Sequence, residues 1–228
     1  MRVAGIPLGV GNSVLPPVPP VSPTGIYLFN GANGATTDTN SAIVPRGSIQ
    51  FFNSAAISTA NAYEGTASLR INASTNGFVG YSPIATASNN VVTARDFYFS
   101  IAFNVDGNDS SQRGLMYCGN TSGVILFRAY VQNGQVKCYI NQVNGVNYTV
   151  TVPNLTVSAN TWYKLEISRK FATSEFKVKV GSDEVTQILT ADFANPISRV
   201  DMGVYWNGSQ FIGYLDRFIY QMDSVAPY

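Results

Sequence analysis

From about residue 25 the chain alternates. Phe97, Phe99, Ile101, Phe103 and Val105 are interleaved with Ser100, Ala102 and Asn104. Phe176, Val178 and Val180 alternate with Lys177 and Lys179, and Val200, Met202, Val204 and Trp206 keep the same period of two. Residues two apart share one face of a strand, so these runs read as half-buried antiparallel strands. Turn signals fall between them. Asn133-Gly134, Asn144-Gly145 and Asn207-Gly208 suit tight hairpins whose two turn residues take positive φ, and Gly181-Ser182-Asp183 separates two further strands. The pattern predicts roughly twelve to fourteen strands and no long helix. The nearest approach to a helix is a single turn at Thr190–Ala194, ended by Pro196. Many short strands with hairpin turns predict an all-β, two-sheet antiparallel sandwich. The strand-rich stretch is too long for a seven-strand immunoglobulin domain, so a large jelly roll fits better.

The first 24 residues break this pattern. Pro16, Pro17, Pro19 and Pro20 impose extended, polyproline-like geometry. The apolar residues among and before them, Ile6, Leu8, Val14 and Leu15, have no helical or strand period. Two units are therefore expected, a Pro-rich arm over 1–24 and a jelly-roll domain over 25–228. Ordering such an arm costs about 1–2 kcal/mol of backbone entropy per residue. By composition alone such a segment reads as a tail or spacer; where it is ordered, a neighbouring subunit is the simplest partner to offset that cost, which makes assembly or docking the arm's expected role. Gly5, Pro7, Gly9 and Gly11 interrupt any apolar leader, so no secretory signal is expected. No apolar run reaches spanning length, so no membrane helix is expected.

Composition narrows the chemistry. Of 228 residues only 12% are charged while 45% are hydrophobic, which leaves Asn, Ser, Thr, Gln and Gly to supply the surface. Aromatics at 12% with a net charge of +1 exclude disorder of the whole chain and argue against a nucleic-acid footprint. Histidine is absent, which removes Ser-His-Asp and Cys-His hydrolysis, histidine zinc sites and histidine proton shuttles. Two cysteines cannot make a four-ligand zinc site. Cys118 and Cys138 lie in strand-like contexts with another strand expected between them. Next-but-one strands are about 9–10 Å apart, beyond disulfide reach, so two buried free thiols are expected.

The C-terminal half carries a recognisable order of motifs. Asn160-Thr161-Trp162-Tyr163-Lys164-Leu165-Glu166-Ile167-Ser168-Arg169 precedes Phe176-Lys177-Val178-Lys179-Val180-Gly181. Arg199-Val200-Asp201-Met202-Gly203-Val204 and Phe211-Ile212-Gly213-Tyr214-Leu215-Asp216-Arg217-Phe218-Ile219-Tyr220 follow. Upstream stand Gly65-Thr66-Ala67-Ser68-Leu69-Arg70 and Asp96-Phe97-Tyr98-Phe99-Ser100-Ile101-Ala102-Phe103. This order resembles the laminin-G-like modules of the concanavalin A-like lectin/glucanase superfamily, over about residues 25–225. The resemblance implies a jelly roll. It does not choose among the lectins, adhesion modules, glycanases and virus structural proteins that share the fold. Within it, Leu215 and Phe218 are three apart. A bulge at Asp216-Arg217 lets both point inward, with Asp216 bonding backbone rather than acting as an acid. Trp162 is expected in the core, beside a sheet edge.

Glycanases of that superfamily carry a Glu-x-Asp-x-x-Glu strand, and hydrolysis needs two carboxylates across a cleft. The four glutamates here, Glu64, Glu166, Glu175 and Glu184, lack partners at the required offsets, so no enzyme is expected. Asp106-Gly107-Asn108-Asp109 gathers oxygen ligands in one loop, a calcium candidate at Asp106, Asn108 and Asp109 that is also an ordinary turn composition; no other cofactor is expected. Tyr205, Trp206, Asn207 and Gln210 surround one hairpin with Tyr214 nearby. They are the candidate sugar contacts, stacking rings on sugar faces and pairing amides with hydroxyls, and Tyr98, Tyr130 and Tyr139 are candidates to extend an exposed sheet face. Lys164, Lys177 and Lys179 read as solvated faces and edge protection.

The function expected from these features is a non-enzymatic structural protein of a bacteriophage virion, of capsid-decoration (cement) or tail/fibre type. The arm docks and the lectin-like sandwich is displayed. Its expected partners are other virion proteins and copies of itself, with host glycan in addition and neither nucleic acid nor membrane. The alternative is a glycan-binding adhesion module that recognises host surface polysaccharide.

Overall fold

The computed structural model describes residues 25–36, 42–44, 48–52, 55–72, 78–82, 96–107, 111–120, 124–193, 197, 199–203 and 211–222. The 1–24 arm and the hairpin carrying Tyr205, Trp206, Asn207 and Gln210 lie outside the described residues, as do Asn108 and Asp109.

Among the described residues sixteen strands form in chain order: β1 Gly25–Tyr27, β2 Ala42–Val44, β3 Ser48–Phe52, β4 Ala56–Ser58, β5 Ser68–Ile71, β6 Phe78–Ser82, β7 Phe97–Val105 and β8 Arg113–Gly119. Then come β9 Ile125–Gln132, β10 Gln135–Asn141, β11 Asn147–Thr151, β12 Trp162–Lys170, β13 Glu175–Val180, β14 Asp183–Ile188, β15 Arg199–Met202 and β16 Gly213–Met222. One sheet of nine strands runs β14-β13-β12-β7-β16-β1-β2, with β5 also paired to β16 and β4 to β5. The other runs β11-β10-β9-β8-β15-β6-β3, seven strands. Every pairing among them is antiparallel. The only helix among the described residues is a single 3-10 turn, Phe171–Thr173. The expected turn at Thr190–Ala194 is not helical over its described residues, 190–193.

The alternation read from the sequence becomes the inner face. Phe97, Phe99, Ile101, Phe103 and Val105 of β7 are fully buried, as are Leu165 and Ile167 of β12 and Phe176 and Val178 of β13. Facing them from the second sheet, Phe127 of β9 stacks on Phe97 at 5.9 Å and 9° between planes, and meets Phe99 at 6.0 Å. Phe176 and Phe193 close the cluster around Phe127 at 5.3 and 6.2 Å. Arg169 sits at the end of this core, 2% exposed, its charge met by Asp192 at 2.6 Å and its guanidinium 5.0 Å from the Phe193 ring.

Two local expectations hold in detail. Asn133 and Gly134 both take positive φ, 52° and 71°, and join β9 to β10 by a two-residue hairpin. At Asn144-Gly145 only the glycine does, at 78°, because the connection is longer: Gln142 N–H reaches the Val146 carbonyl and Gly145 N–H the Gln142 carbonyl. Cys118 on β8 and Cys138 on β10 are free and buried, with β9 between them at Phe127 and Ala129. Burial raises the pKa of both thiols, so both stay protonated.

Candidate binding site

The site lies on the outer face of the nine-stranded sheet. In β16 the register shifts between Asp216 and Ile219, and both Leu215 and Phe218 are fully buried on the inner side. This is the bulge the spacing predicts, and Arg217 takes a positive φ of 44° within it. The bulge also marks where β16 changes neighbour. Gly213–Leu215 pair with β5, whereas Phe218–Tyr220 pair with β1. Asp216 points outward at that fork, and its carboxylate is fully buried.

What buries it is the loop from β4 to β5. The Asp216 Oδ2 accepts the Tyr63 and Glu64 N–H groups, both at 3.0 Å, and its Oδ1 accepts the Arg217 N–H at 2.7 Å. Burial pushes the carboxyl up to about 6, against the pull of these three donors, and the Glu64 charge adds to the rise. Further ties fix the loop. Glu64 pairs with Arg217 at 2.9 Å, and Thr66 N–H donates to the Asn30 side chain at 3.1 Å. Gly65 takes φ +78°, and a Cβ there would run into the Asn30 amide. A glycine is required at this close approach.

Held this way, the loop presents Tyr63, 40% exposed, against Trp162 at 5.7 Å between centroids. Trp162 Nε1–H donates to the Asn61 Oδ1 at 2.9 Å. On its other side Trp162 meets Tyr214 at 6.5 Å, and the Arg70 guanidinium lies 4.5 Å from the Tyr214 ring centroid. Arg70 is in turn gripped by Asp106 through both carboxylate oxygens, one bond measuring 2.7 Å. This pairing raises the Arg70 pKa further, against partial burial. The outcome is a continuous surface row: Tyr63, Trp162, Tyr214, Arg70, Asp106. Rings with an open face stack on flat apolar ligand surfaces, and the flanking polar groups orient what they hold.

The strand register explains the row. Trp162 on β12, Asn104 on β7, Tyr214 on β16 and Arg70 on β5 are successive Cα partners, so all four project from one face. Trp162 is therefore not a core residue. It shares the outer face with Lys164, Glu166 and Ser168, while Leu165 and Ile167 point in. Below it, Glu166 pairs with Lys164 at 3.0 Å and accepts the Tyr98 hydroxyl at 2.6 Å. Burial opposes its ionisation, but these partners outweigh it and hold the carboxyl below its ordinary value.

Of the sequence-derived sugar contacts, only Tyr214 falls within the described residues, and it is in the row. Tyr98 and Tyr130 are buried rather than exposed, at 2% and 5%. Tyr98 packs with Ile26, Leu28 and Ile219, and burial with its bond to Glu166 raises its pKa. Tyr139 is half-buried with the Arg128 guanidinium 4.8 Å from its ring centroid. Of the calcium candidates only Asp106 is described, and its carboxylate is engaged by Arg70. Among the described residues no three acidic or thiol side chains gather in a metal-binding group. No helix there is long and apolar enough to cross a membrane. Sequence reading missed Tyr63, Arg70 and the outward face of Trp162. For Trp162 the signal was present, since it stands in phase with the polar members of its own strand.

No family model matches the chain, and no curated protein matches it by sequence. Solved structures do share the architecture. The binding domain of botulinum neurotoxin serotype G superposes with a TM-score of 0.64 at 10% identity, over 87% of this chain and 47% of that one. The receptor binding domain of botulinum neurotoxin C/D mosaic serotype gives 0.66 at 9%, over 90% and 49%. The binding domain of Paraclostridial Mosquitocidal Protein 1 gives 0.65 at 12%, over 89% and 50%. The chain thus spans about half the length of these proteins. At such identities the likeness establishes the β-sandwich fold alone.

Proposed function

We propose that the chain is a non-enzymatic carbohydrate-binding β-sandwich, displayed on a bacteriophage particle that its Pro-rich arm docks to. The observation that carries the binding reading is the row Tyr63–Trp162–Tyr214, continued by Arg70 and Asp106 on one open face. Three aromatic rings set side by side on a sheet surface offer apolar faces at low conformational cost, which suits the flat faces of sugar rings. Two of the similar folds are named as binding domains and one as a receptor binding domain, which agrees in kind. Asp106 in the row and Glu166 and Asp216 beside it are occupied by Arg70, by Lys164 and by backbone N–H groups, which favours binding over hydrolysis.

The virion part of the reading rests on the sequence. The first 24 residues are rich in proline, a partner would offset the entropy cost of ordering such a segment, and a surface of uncharged polar residues suits dense display. A capsid-decoration or a tail/fibre position satisfies both. Removing residues 1–24 is expected to leave a folded body that no longer joins the particle; normal incorporation of the truncated chain contradicts the arm's role. For the binding part, the full chain on a printed array of bacterial and mammalian saccharides is expected to bind a discrete subset. Tyr63→Ala is expected to weaken it at least fivefold. An array with no signal above background rejects it.

A further inference from the structure

Beneath the row lies a side chain with nothing to bond. Asn104 is fully buried, and neither its amide nitrogen nor its carbonyl oxygen has a partner. Its position is unusual in kind. It is the direct Cα partner of Trp162 on one side and of Tyr214 on the other, and the two rings flanking it lie with centroids 6.5 Å apart. A donor and an acceptor side by side, walled by two aromatic rings, are costly to bury without partners. An apolar side chain of the same shape would fill the space without that cost. The carboxamide fits a group that arrives from outside with a matching acceptor and donor.

We propose that Asn104 is the hydroxyl-reading residue of the binding site: its carboxamide pairs with two adjacent equatorial hydroxyls of a neutral pyranose whose ring takes the place of Tyr214 against Trp162. The inference rests on the carbohydrate reading above and deepens it. Neighbouring hydroxyls can each donate and accept, so one pair satisfies both ends of the amide. Tyr214 is the wall that moves. Its ring is half-exposed and rests against the Arg70 guanidinium, whereas Trp162 is tied by Nε1 to Asn61 and wedged by Tyr63. The ligand is neutral because the charges around Asn104 and the row are already matched. Arg70 is held by Asp106, Arg217 by Glu64 and Lys164 by Glu166. An acidic sugar would have to break one of these pairs.

The test uses the full chain and the strongest saccharide from the array, comparing wild type with Asn104→Leu, Asn104→Ala and Tyr63→Ala by titration and by thermal melting. Asn104→Leu is expected to melt no lower than wild type while losing at least tenfold in affinity; the surface variant Tyr63→Ala should show a smaller loss. If Asn104→Leu folds and binds within twofold of wild type while Tyr63→Ala weakens, the inference falls and the aromatic row stands. Should Asn104→Leu overpack and fail to fold, Asn104→Ala is judged by the same readings. If neither variant folds, the residue is structural and the inference falls. Array hits confined to acidic saccharides also overturn it. Absence of any saccharide binding removes both readings together.

Discussion

Asp216 shows how one residue organises the site. A buried carboxylate would normally be costly, but here three backbone N–H groups are aimed at it, two of them from the loop that carries Tyr63. Its folded pKa of about 6 stands above the ordinary 3.8, so the folded chain holds a proton that the unfolded chain has released. Stability contributed by this proton is fully present below pH 3.8 and is lost as pH rises through about 6. The difference corresponds to ~3 kcal/mol. Denaturant melts are expected to show stability rising as pH falls from 7 to 5, with Asp216→Asn flattening that slope; an unchanged slope in the variant contradicts the assignment. Deeper in, Phe127 is packed by Phe97, Phe99, Phe176 and Phe193. Phe127→Ala is expected to cost about 3–5 kcal/mol by the same measurement.

At the scale of elements the bulge in β16 and the β4–β5 loop form one device. The bulge turns Asp216 outward at the point where β16 exchanges β5 for β1, and the loop docks on it. Gly65→Ala is expected to loosen that docking, costing about 1–3 kcal/mol through the unfavourable positive φ and the encounter with Asn30. It should also weaken saccharide binding, because Tyr63 loses its place; urea melts and the same titration check both. The bulge was legible because two inward apolar residues three apart violate strict alternation. Strand identity was legible for β7, β13 and β15, whose period of two is unbroken. The loop's role was not. Its contacts join Tyr63 and Glu64 to Asp216, residues more than 150 positions apart, through main-chain groups that carry no side-chain signature. Tyr98 was misread because outer-face position does not imply exposure when Ile26 and Ile219 pack beside it.

For the whole molecule, two sheets share one aromatic core, and the site sits on the back of the larger sheet rather than between the two. The thiols report on that arrangement. Cys118 and Cys138 lie on strands of the second sheet with side chains in the shared core. Both are expected to resist a thiol reagent in the native protein and to react together on unfolding. Rapid native labelling of either would mean the sheets part easily. The central claim, that the outer row holds a sugar ring, is tested most directly by Trp162 itself. The chain has two tryptophans, so Trp206→Phe leaves Trp162 as the sole indole reporter. Titrating that variant with the array-selected saccharide is expected to give a saturable change in emission and protection from acrylamide quenching. Saccharide binding with the Trp162 emission and its quenching unchanged would place the ligand elsewhere and contradict the account.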